Sequence, residues 1–203
     1  MLNFAAWNIR GLNQPHKQEE VRKFISSSRL SLLGILETKV RYGRRSHLAR
    51  ELLPGWSFLY NYNVTSHGRI WATWDPSVLS IQLLRSSVQL LHLSVSVKET
   101  HHFCICAELW AGESSIVGGD QLHSPSAYSQ PWIILGDFNV VRHVSEKAGG
   151  DLSWTTEMDD FNTCCQSADL EDLKFSGHWF TWSNKSPSNP ISRKLDRVLI
   201  NPS

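Results

Sequence analysis

The sequence is poor in cysteine and lacks long apolar runs, and these absences exclude several classes of protein. Its four cysteines (Cys104, Cys106, Cys164 and Cys165) form no Cys-x-x-Cys pair, and no histidine spacing matches a zinc site. We therefore predict an intracellular protein, nuclear or cytoplasmic, without disulfides, and with Cys104 and Cys106 as small core residues. The start, MLNFAAWNIRGL, is too short and polar for a signal peptide, and no apolar run approaches membrane-spanning length.

The sequence also lacks an overall excess of one charge, since its net charge is +1. The charge is nevertheless uneven: residues 1–50 hold ten Lys/Arg against three Asp/Glu, and residues 51–203 hold ten against sixteen. The basic run KVRYGRRSHLAR (39–50) is suited to a phosphate backbone. Taken alone, the same run is more simply interpreted as the solvated face of a helix.

The chain has 203 residues, a length sufficient for one substantial core. Its residues are 41% hydrophobic and include nine tryptophans. Apolar periodicity predicts helices over 16–29, 46–53 and 155–168. Residues 112–130, rich in Gly and Ser, are predicted to form a loop. Strands are predicted in the stretches LNFAAWN, LSLLGILET, SFLYNYN, RIWATWD, SIQLLRSS, QLLHLSVSV, HFCICAEL, WIILGDFN, HWFTWSN and RKLDRVLIN. This pattern indicates a single α+β domain (1–203) in which two β-sheets pack as a β-sandwich flanked by helices.

Polar residues follow several of the predicted apolar strands, most clearly in PWIILGDFNVV (131–141). Asn8, Glu37, Asp137, Asn139 and Asp196 all stand at such positions. Carboxylate and amide oxygens gathered at one rim suit a hard divalent cation such as Mg²⁺. Each residue also has an ordinary explanation, such as an Asx-turn or a strand-end residue. For Asp196 that explanation is a surface ion pair with its neighbours Lys194 and Arg197.

The motifs WNIRGL, LLGILETK, GRIWATWDP, PWIILGDFN, GHWFTWSN and KLDRVLIN occur in this order along nearly the whole chain. In this combination the sequence resembles the endonuclease/exonuclease/phosphatase superfamily, which has the DNase-I-like four-layer fold. It is most similar to the endonuclease domain of plant LINE-type (non-LTR) retrotransposons. The resemblance implies a hydrolase that uses Mg²⁺ or Mn²⁺, with Trp71, Trp74 and Phe180 in its core.

The resemblance also implies roles for the strand-end residues. Asp137 would orient or deprotonate the attacking water, and Asn139 would hydrogen-bond the scissile phosphate. Glu37 would bind the metal, and Asn8 would lie beside it on metal-bound water or phosphate. Asp196 would pair with a histidine. DNA contacts are assigned to the basic and rim residues Arg10, Lys39, Arg41, Arg44, Trp182 and Asn184.

The sequence departs from the family pattern in two places. The stretch HFCICAELWAG lacks the Tyr and Asn expected before the GDFN strand, and no Ser-Asp-His strand follows INPS. We therefore expect a C-terminally truncated domain, once fused to a reverse transcriptase, that is a monomer and nicks DNA poorly or not at all. The alternatives are a non-catalytic nucleic-acid-binding remnant, or a phosphatase of small phosphorylated molecules or phosphoinositides.

Overall fold

The computed structural model describes residues 2–63, 67–97, 107–108, 131, 133–175 and 177–201. The chain divides into two compact units, Met1–Glu108 and Leu109–Ser203. The organisation of the chain as one domain stays a prediction. Cys104, Cys106, the loop over 112–130 and most of the stretch HFCICAELWAG lie outside the described residues.

Unit 1 is built around a four-stranded sheet and two helices. Its strands are β1 (Phe4–Asn8), β2 (Leu32–Leu36), β3 (Val40–Arg41), β4 (Ser57–Tyr60), β5 (His67–Gly68), β6 (Trp71–Trp74), β7 (Ser80–Ser86), β8 (Leu91–Ser96) and β9 (Ala107–Glu108). The main sheet has the order β1-β2-β6-β4, in which β1 and β2 are parallel and the other neighbours antiparallel. Strand β2 is buried along its whole length, as its uninterrupted apolar run predicts.

The two helices of unit 1 lie within one residue of their predicted bounds. Helix α1 spans Pro15–Ser28, with proline in its first turn and Val21 and Ile25 buried on one face. Helix α2 spans Arg45–Leu52 and buries its apolar side chains in the same hydrophobic cluster. Trp71 is fully buried there, and Trp74 is also buried, so both predictions for the core are confirmed.

Strands β7 and β8 form a separate antiparallel pair in unit 1. Burial alternates along β8, where Leu91, Leu93 and Val95 are inward-facing. A backbone hydrogen bond from Ser87 N–H to the Leu90 carbonyl closes the turn between the strands. The register shifts between Leu83 and Arg85, which marks a β-bulge.

Unit 2 contains helix α3 (Thr156–Ser167) and strands that pair in two small antiparallel sheets. Its strands are β10 (Ile133–Asp137), β11 (Lys147–Ala148), β12 (Glu171–Asp172), β13 (Trp182–Ser183), β14 (Ser192–Arg193) and β15 (Asp196–Ile200). Strand β15 lies between β12 and β10, and β14 lies between β11 and β13. Helix α3 matches its prediction and buries Met158, Phe161 and Cys165.

The predicted strand over 178–184 is wrong in length, because only Trp182 and Ser183 pair in a ladder. The Trp179 indole N–H instead donates to the Ser145 carbonyl, so the chain before β13 follows a loop. Phe180 in this loop is half-buried and not a core residue as predicted. In the described part of the chain, no helix is both long and apolar enough to cross a membrane.

Candidate active site

In unit 1, Asn8 and Glu37 meet at one edge of the main sheet. Asn8 ends β1, and Glu37 immediately follows β2. Since the two strands are parallel and pair Asn8 with Leu36, their carboxyl ends lie side by side. The Asn8 Nδ2 donates to Glu37 Oε1 at 3.1 Å, and the Asn8 Oδ1 accepts from the Arg10 backbone N–H at 3.3 Å. The strand ends thus bring a carboxylate and a carboxamide into direct contact.

The backbone around this pair is held in an uncommon conformation. Arg10, Glu37 and Lys39 have φ angles of 53°, 50° and 53°, in the left-handed region. This region costs a non-glycine residue about 1–2 kcal/mol. Two backbone hydrogen bonds hold the segments together, from Gly11 N–H to the Glu37 carbonyl and from Leu12 N–H to the Thr38 carbonyl, both at 2.8 Å. Such strain is found where the surrounding structure fixes a side chain for function.

The Glu37 carboxylate lies among hydrogen-bond donors and positive charges. Burial raises the pKa of Glu37, but hydrogen bonds from Asn8 and Lys39 and the charges of Lys39 and Arg10 outweigh burial, so the pKa lies below its usual value. The Lys39 ammonium lies 3.1 Å from Glu37 Oε2. Glu37 is therefore ionised at neutral pH, and a cation already contacts one of its oxygens.

The basic residues expected to contact DNA continue from this pair towards α2. Arg41 and Arg44 are exposed, on β3 and on a 3₁₀ helix (Tyr42–Arg44) that runs into α2. Lys39 is exposed as well, but it is paired with Glu37. The DNA contacts of these residues and of Arg10 stay predictions.

In unit 2, strand β10 delivers Asp137 to the start of a tight turn. Asp137 is only 3% exposed, and its Oδ1 accepts the Asn139 backbone N–H at 3.0 Å, which forms an Asx-turn. Phe138 between them is buried, and its N–H donates to the Leu195 carbonyl at 2.9 Å. Asn139 is exposed at a φ of 52°. The turn thus buries the aromatic ring and presents the amide to solvent.

Asp196 begins β15, directly opposite Asp137 in the antiparallel register. The Thr181 hydroxyl oxygen accepts the backbone N–H groups of Asp196 and Leu195, each at 3.0 Å. Thr181 therefore positions the first residues of β15. Thr181 stands inside the motif GHWFTWSN, but no pattern in the sequence marks it as a site residue.

The neighbours of Asp196 do not form the surface ion pair considered from the sequence. Lys194 and Arg197 are 5% and 4% exposed. Arg197 binds Glu146 and Asp172, and the Lys194 ammonium lies 3.2 Å from Asp172 and 3.5 Å from Glu146. The basic residues that flank Asp196 in sequence thus belong to a buried ionic network that anchors the start of β15.

An open cleft of about 380 Å³ lies beside this turn in unit 2. Its lining includes Asn139, Trp182, Arg193, Leu195 and Lys147. The lining also includes Glu157, and the Lys147 ammonium and the Arg193 guanidinium donate to backbone carbonyls, so the cleft is of mixed polarity.

Asn184, the other predicted rim residue, closes a loop with its side chain. Its Nδ2 donates to the Asn189 carbonyl, and its Oδ1 accepts from the backbone N–H groups of Ser186 and Ile191. A DNA contact by Asn184 stays a prediction.

The oxygen donors Glu37 and Asn8 of unit 1 are of a kind that fits a hard cation. Within the described residues, no three His, Cys, Asp or Glu side chains cluster as a metal cage. Mg²⁺ does not require one, because it keeps several waters and is bound through one or two carboxylates. The ionised Glu37 beside the Asn8 amide is a ligand set of this kind.

The described strands and helices form a mixed α/β arrangement with several sheets and few helices, and comparison with known proteins identifies it. No protein-family model matches the sequence, and no curated protein matches it. Solved structures do match over the full chain. The endonuclease domain of TRAS1, a telomere-specific non-LTR retrotransposon, has a TM-score of 0.74 at 8% identity and covers 100% of this chain and 86% of its own.

Two further structures match nearly as well. The 3′ phosphatase NExo from Neisseria, bound to a product DNA hairpin, has a TM-score of 0.66 at 15% identity and covers 100% of this chain and 87% of its own. The AP endonuclease LMAP from Leishmania major has a TM-score of 0.69 at 16% identity and covers 98% and 78%. The chain therefore has the DNase-I-like fold of endonucleases, exonucleases and phosphatases, which confirms the predicted fold class.

Proposed function

We propose that this protein is a divalent-metal-dependent phosphodiesterase that nicks DNA, of the kind found in LINE-type retrotransposons. The observation that carries the proposal is the contact between Asn8 and Glu37, made at adjacent strand ends with Glu37 held in a left-handed conformation. The motif order of the sequence and the likeness to the TRAS1 endonuclease domain support the same assignment.

The proposed cofactor is Mg²⁺ or Mn²⁺. When bound, it would polarise a phosphoryl oxygen and stabilise the leaving oxyanion. Glu37 would hold it through a carboxylate that is already ionised at neutral pH. Asn8 fixes the position of that carboxylate by donating to Oε1, which leaves Oε2 on the side of Lys39.

The proposed chemical step assigns the remaining polar residues to water and phosphate. Asp137 accepts a proton from, or orients, the attacking water, and Asn139 donates an amide hydrogen bond to the scissile phosphate. Asp196, opposite Asp137 in the antiparallel register, would pair with a histidine and orient it towards the phosphate. Arg10, Lys39, Arg41 and Arg44 contact phosphates of the DNA, and Trp182 contacts the strand from the cleft.

Nicking of supercoiled plasmid in Mg²⁺ or Mn²⁺ tests the proposal. Glu37→Gln and Asp137→Asn keep the shape of each side chain, and we expect each to lower the nicking rate by about 100-fold or more. Glu51→Gln and Asp160→Asn, on exposed helix surfaces, are the matched controls. Nicking that proceeds unchanged in both site variants would refute the assignment.

The two site variants also test whether both groups serve one reaction. If they act in the same step, the double variant should be little slower than the slower single variant, because effects of residues that act as a unit are not additive. Multiplication of the two single effects would instead indicate independent roles.

We expect the absolute rate of nicking to be low, because the stretch HFCICAELWAG carries neither the Tyr nor the Asn of the family pattern.

The two alternative functions, a binding remnant and a phosphatase, predict different results. A binding remnant retains DNA without cleaving it under any metal. A phosphatase, which the likeness to NExo favours, releases inorganic phosphate from a 3′-phosphorylated oligonucleotide or a small phosphate ester without nicking plasmid.

A further inference from the structure

An arginine is stacked on an exposed tyrosine at the start of helix α2. The guanidinium carbon of Arg45 lies 3.5 Å from the centroid of the Tyr42 ring. The Arg45 Nη1 also donates to the Tyr42 backbone carbonyl at 2.7 Å, so the guanidinium is held in place over the ring. Tyr42 is 56% exposed, which is the largest exposed fraction among the big apolar and aromatic side chains described. A large aromatic surface is thus kept in solvent next to a fixed cation.

The stacked pair rests on rigid structure. The edge of Tyr42 meets the ring of Tyr62, with 5.7 Å between centroids. The Tyr62 hydroxyl donates to the Val40 carbonyl at 2.7 Å and accepts from the Trp71 indole N–H at 3.3 Å. Since Trp71 is fully buried, the aromatic series connects the exposed ring to the core. Little conformational entropy is therefore lost when a ligand stacks on Tyr42.

The charge around Tyr42 is positive and unbalanced. Across the described residues, no carboxylate lies within ion-pair distance of Arg41, Arg44, Arg45 or Arg50. Arg44 and Arg45 stand at the amino end of α2, whose first turn holds no acidic residue. The helix dipole disfavours cations at that end, so the dipole does not account for the position of these arginines. Their arrangement is suited to an anionic ligand.

We infer that Tyr42 and Arg45 form a stacking site for an unpaired nucleobase of single-stranded DNA, and that the neighbouring arginines contact its phosphates. Aromatic rings interleaved with unpaired cations are the arrangement that binds single strands without sequence preference. A paired base within a duplex has both faces covered by its neighbours, so the exposed ring selects an unpaired one. The choice of DNA as the strand rests on the proposed function.

Fluorescence anisotropy with a labelled 12-nucleotide oligo(dT) tests the inference. Binding is measured in EDTA, so that cleavage does not contribute, and it is compared with an abasic strand and a duplex of the same length. We expect oligo(dT) to bind about tenfold more tightly than the abasic strand, because stacking on an aromatic ring contributes about that much per base. Equal binding of oligo(dT) and the abasic strand would overturn the inference.

Variants distinguish the contribution of ring stacking to binding from the contribution of positive charge. Tyr42→Ala should remove the advantage of oligo(dT) over the abasic strand, and Tyr42→Phe should retain it, because the ring is kept. Neither variant should change the dependence of affinity on salt, whereas Arg44→Ala should make that dependence shallower. Val88→Ala, an exposed apolar position on another turn, is the control. An unchanged preference in Tyr42→Ala contradicts the inference, and circular dichroism of each variant verifies that it is folded.

The binding experiment and the nicking experiment can fail independently of each other. A protein that nicks plasmid but binds oligo(dT) and the abasic strand equally keeps the proposed activity and loses the stacking site. A protein that never nicks but shows the Tyr42-dependent preference keeps the stacking site and loses the nuclease assignment.

Discussion

Asp137 and Asp196 lie directly opposite each other, at the end of β10 and the start of β15. In an antiparallel pair, opposite side chains project from the same face with Cβ atoms about 4.5–5.5 Å apart, and like charges there are destabilising. The register therefore predicts repulsion between the two carboxylates, which a cation or a phosphate-bound water would relieve.

The opposed carboxylates predict opposite effects of Asp196→Asn on stability and on catalysis. Removal of one negative charge should raise the free energy of unfolding in EDTA by up to about 1 kcal/mol. The same change should slow nicking, because it removes one of the carboxylates proposed to act at the phosphate. Urea unfolding and the plasmid assay measure the two effects, and Asp169→Asn, an exposed residue after α3, is the control. A less stable Asp196→Asn would argue that the pair is not repulsive.

Thr181 is predicted to position β15 through its hydroxyl oxygen. Thr181→Val keeps the shape but removes the acceptor of the backbone N–H groups of Leu195 and Asp196. Because both hydrogen bonds are exposed to solvent, the loss should cost about 0.5–1.5 kcal/mol. Thr181→Ser retains the oxygen and should restore most of the stability. Urea denaturation of the three proteins measures the difference. If valine and serine behave alike, the hydroxyl does not position the strand.

The buried ionic network predicts how stability depends on pH. Burial raises the pKa values of Glu146 and Asp172, but the charge and hydrogen bonds of Arg197, with help from Lys194, outweigh burial and hold both below their usual values. Because the folded pKa is lower than the unfolded one, each carboxylate stabilises the protein above the usual values of 4.5 and 3.8. That stability is lost as pH falls through the lower folded values. Thermal unfolding from pH 7 to pH 3 measures this loss.

Arg197→Met should change the sign of this dependence. It removes the guanidinium from the buried Glu146 carboxylate and leaves the Lys194 ammonium, 3.5 Å away, as the remaining cation, which should cost up to about 3–5 kcal/mol at pH 7. Protonation of Glu146 relieves the cost, so the variant should regain stability on mild acidification, where the wild type does not. Lys185→Met, at an exposed loop position, is the control and should follow the wild type. A variant with the pH profile of the wild type would show that Glu146 is not held ionised by Arg197.

Some of the candidate site could be predicted from sequence because it depends on local pattern. A buried apolar run followed by a polar residue marks the end of a strand, and this placed Asn8 and Glu37 at the ends of β1 and β2, where they meet in unit 1. The spacing in GDFN likewise indicated a turn at Asp137 and Asn139, and the Asx-turn there confirms it.

The remaining features depend on contacts between residues far apart in sequence. Lys194 and Arg197 are buried because Glu146, some fifty residues earlier, pairs with both, and nothing near Asp196 announces this. The family resemblance predicts Phe180 in the core, but the hydrogen bond from the Trp179 indole to the Ser145 carbonyl directs that segment into a loop. The positive φ angles of Glu37 and Lys39 have no glycine or asparagine to signal them.

Lys39 provides a prediction that separates metal binding from DNA binding. Its ammonium contacts Glu37 Oε2 at 3.1 Å, so a cation at that oxygen has to displace it. Lys39→Met removes both the competitor and a positive charge, and it should tighten binding of Mn²⁺ to the protein. The same change removes a proposed phosphate contact, so DNA affinity should fall and its dependence on salt should become shallower by about one counterion.

Titration of Mn²⁺ followed by electron paramagnetic resonance, and DNA binding in EDTA, measure the two affinities separately. Lys23→Met, an exposed lysine on α1, should change neither. A parallel loss of both affinities would show that Lys39 supports the carboxylate instead of competing for it.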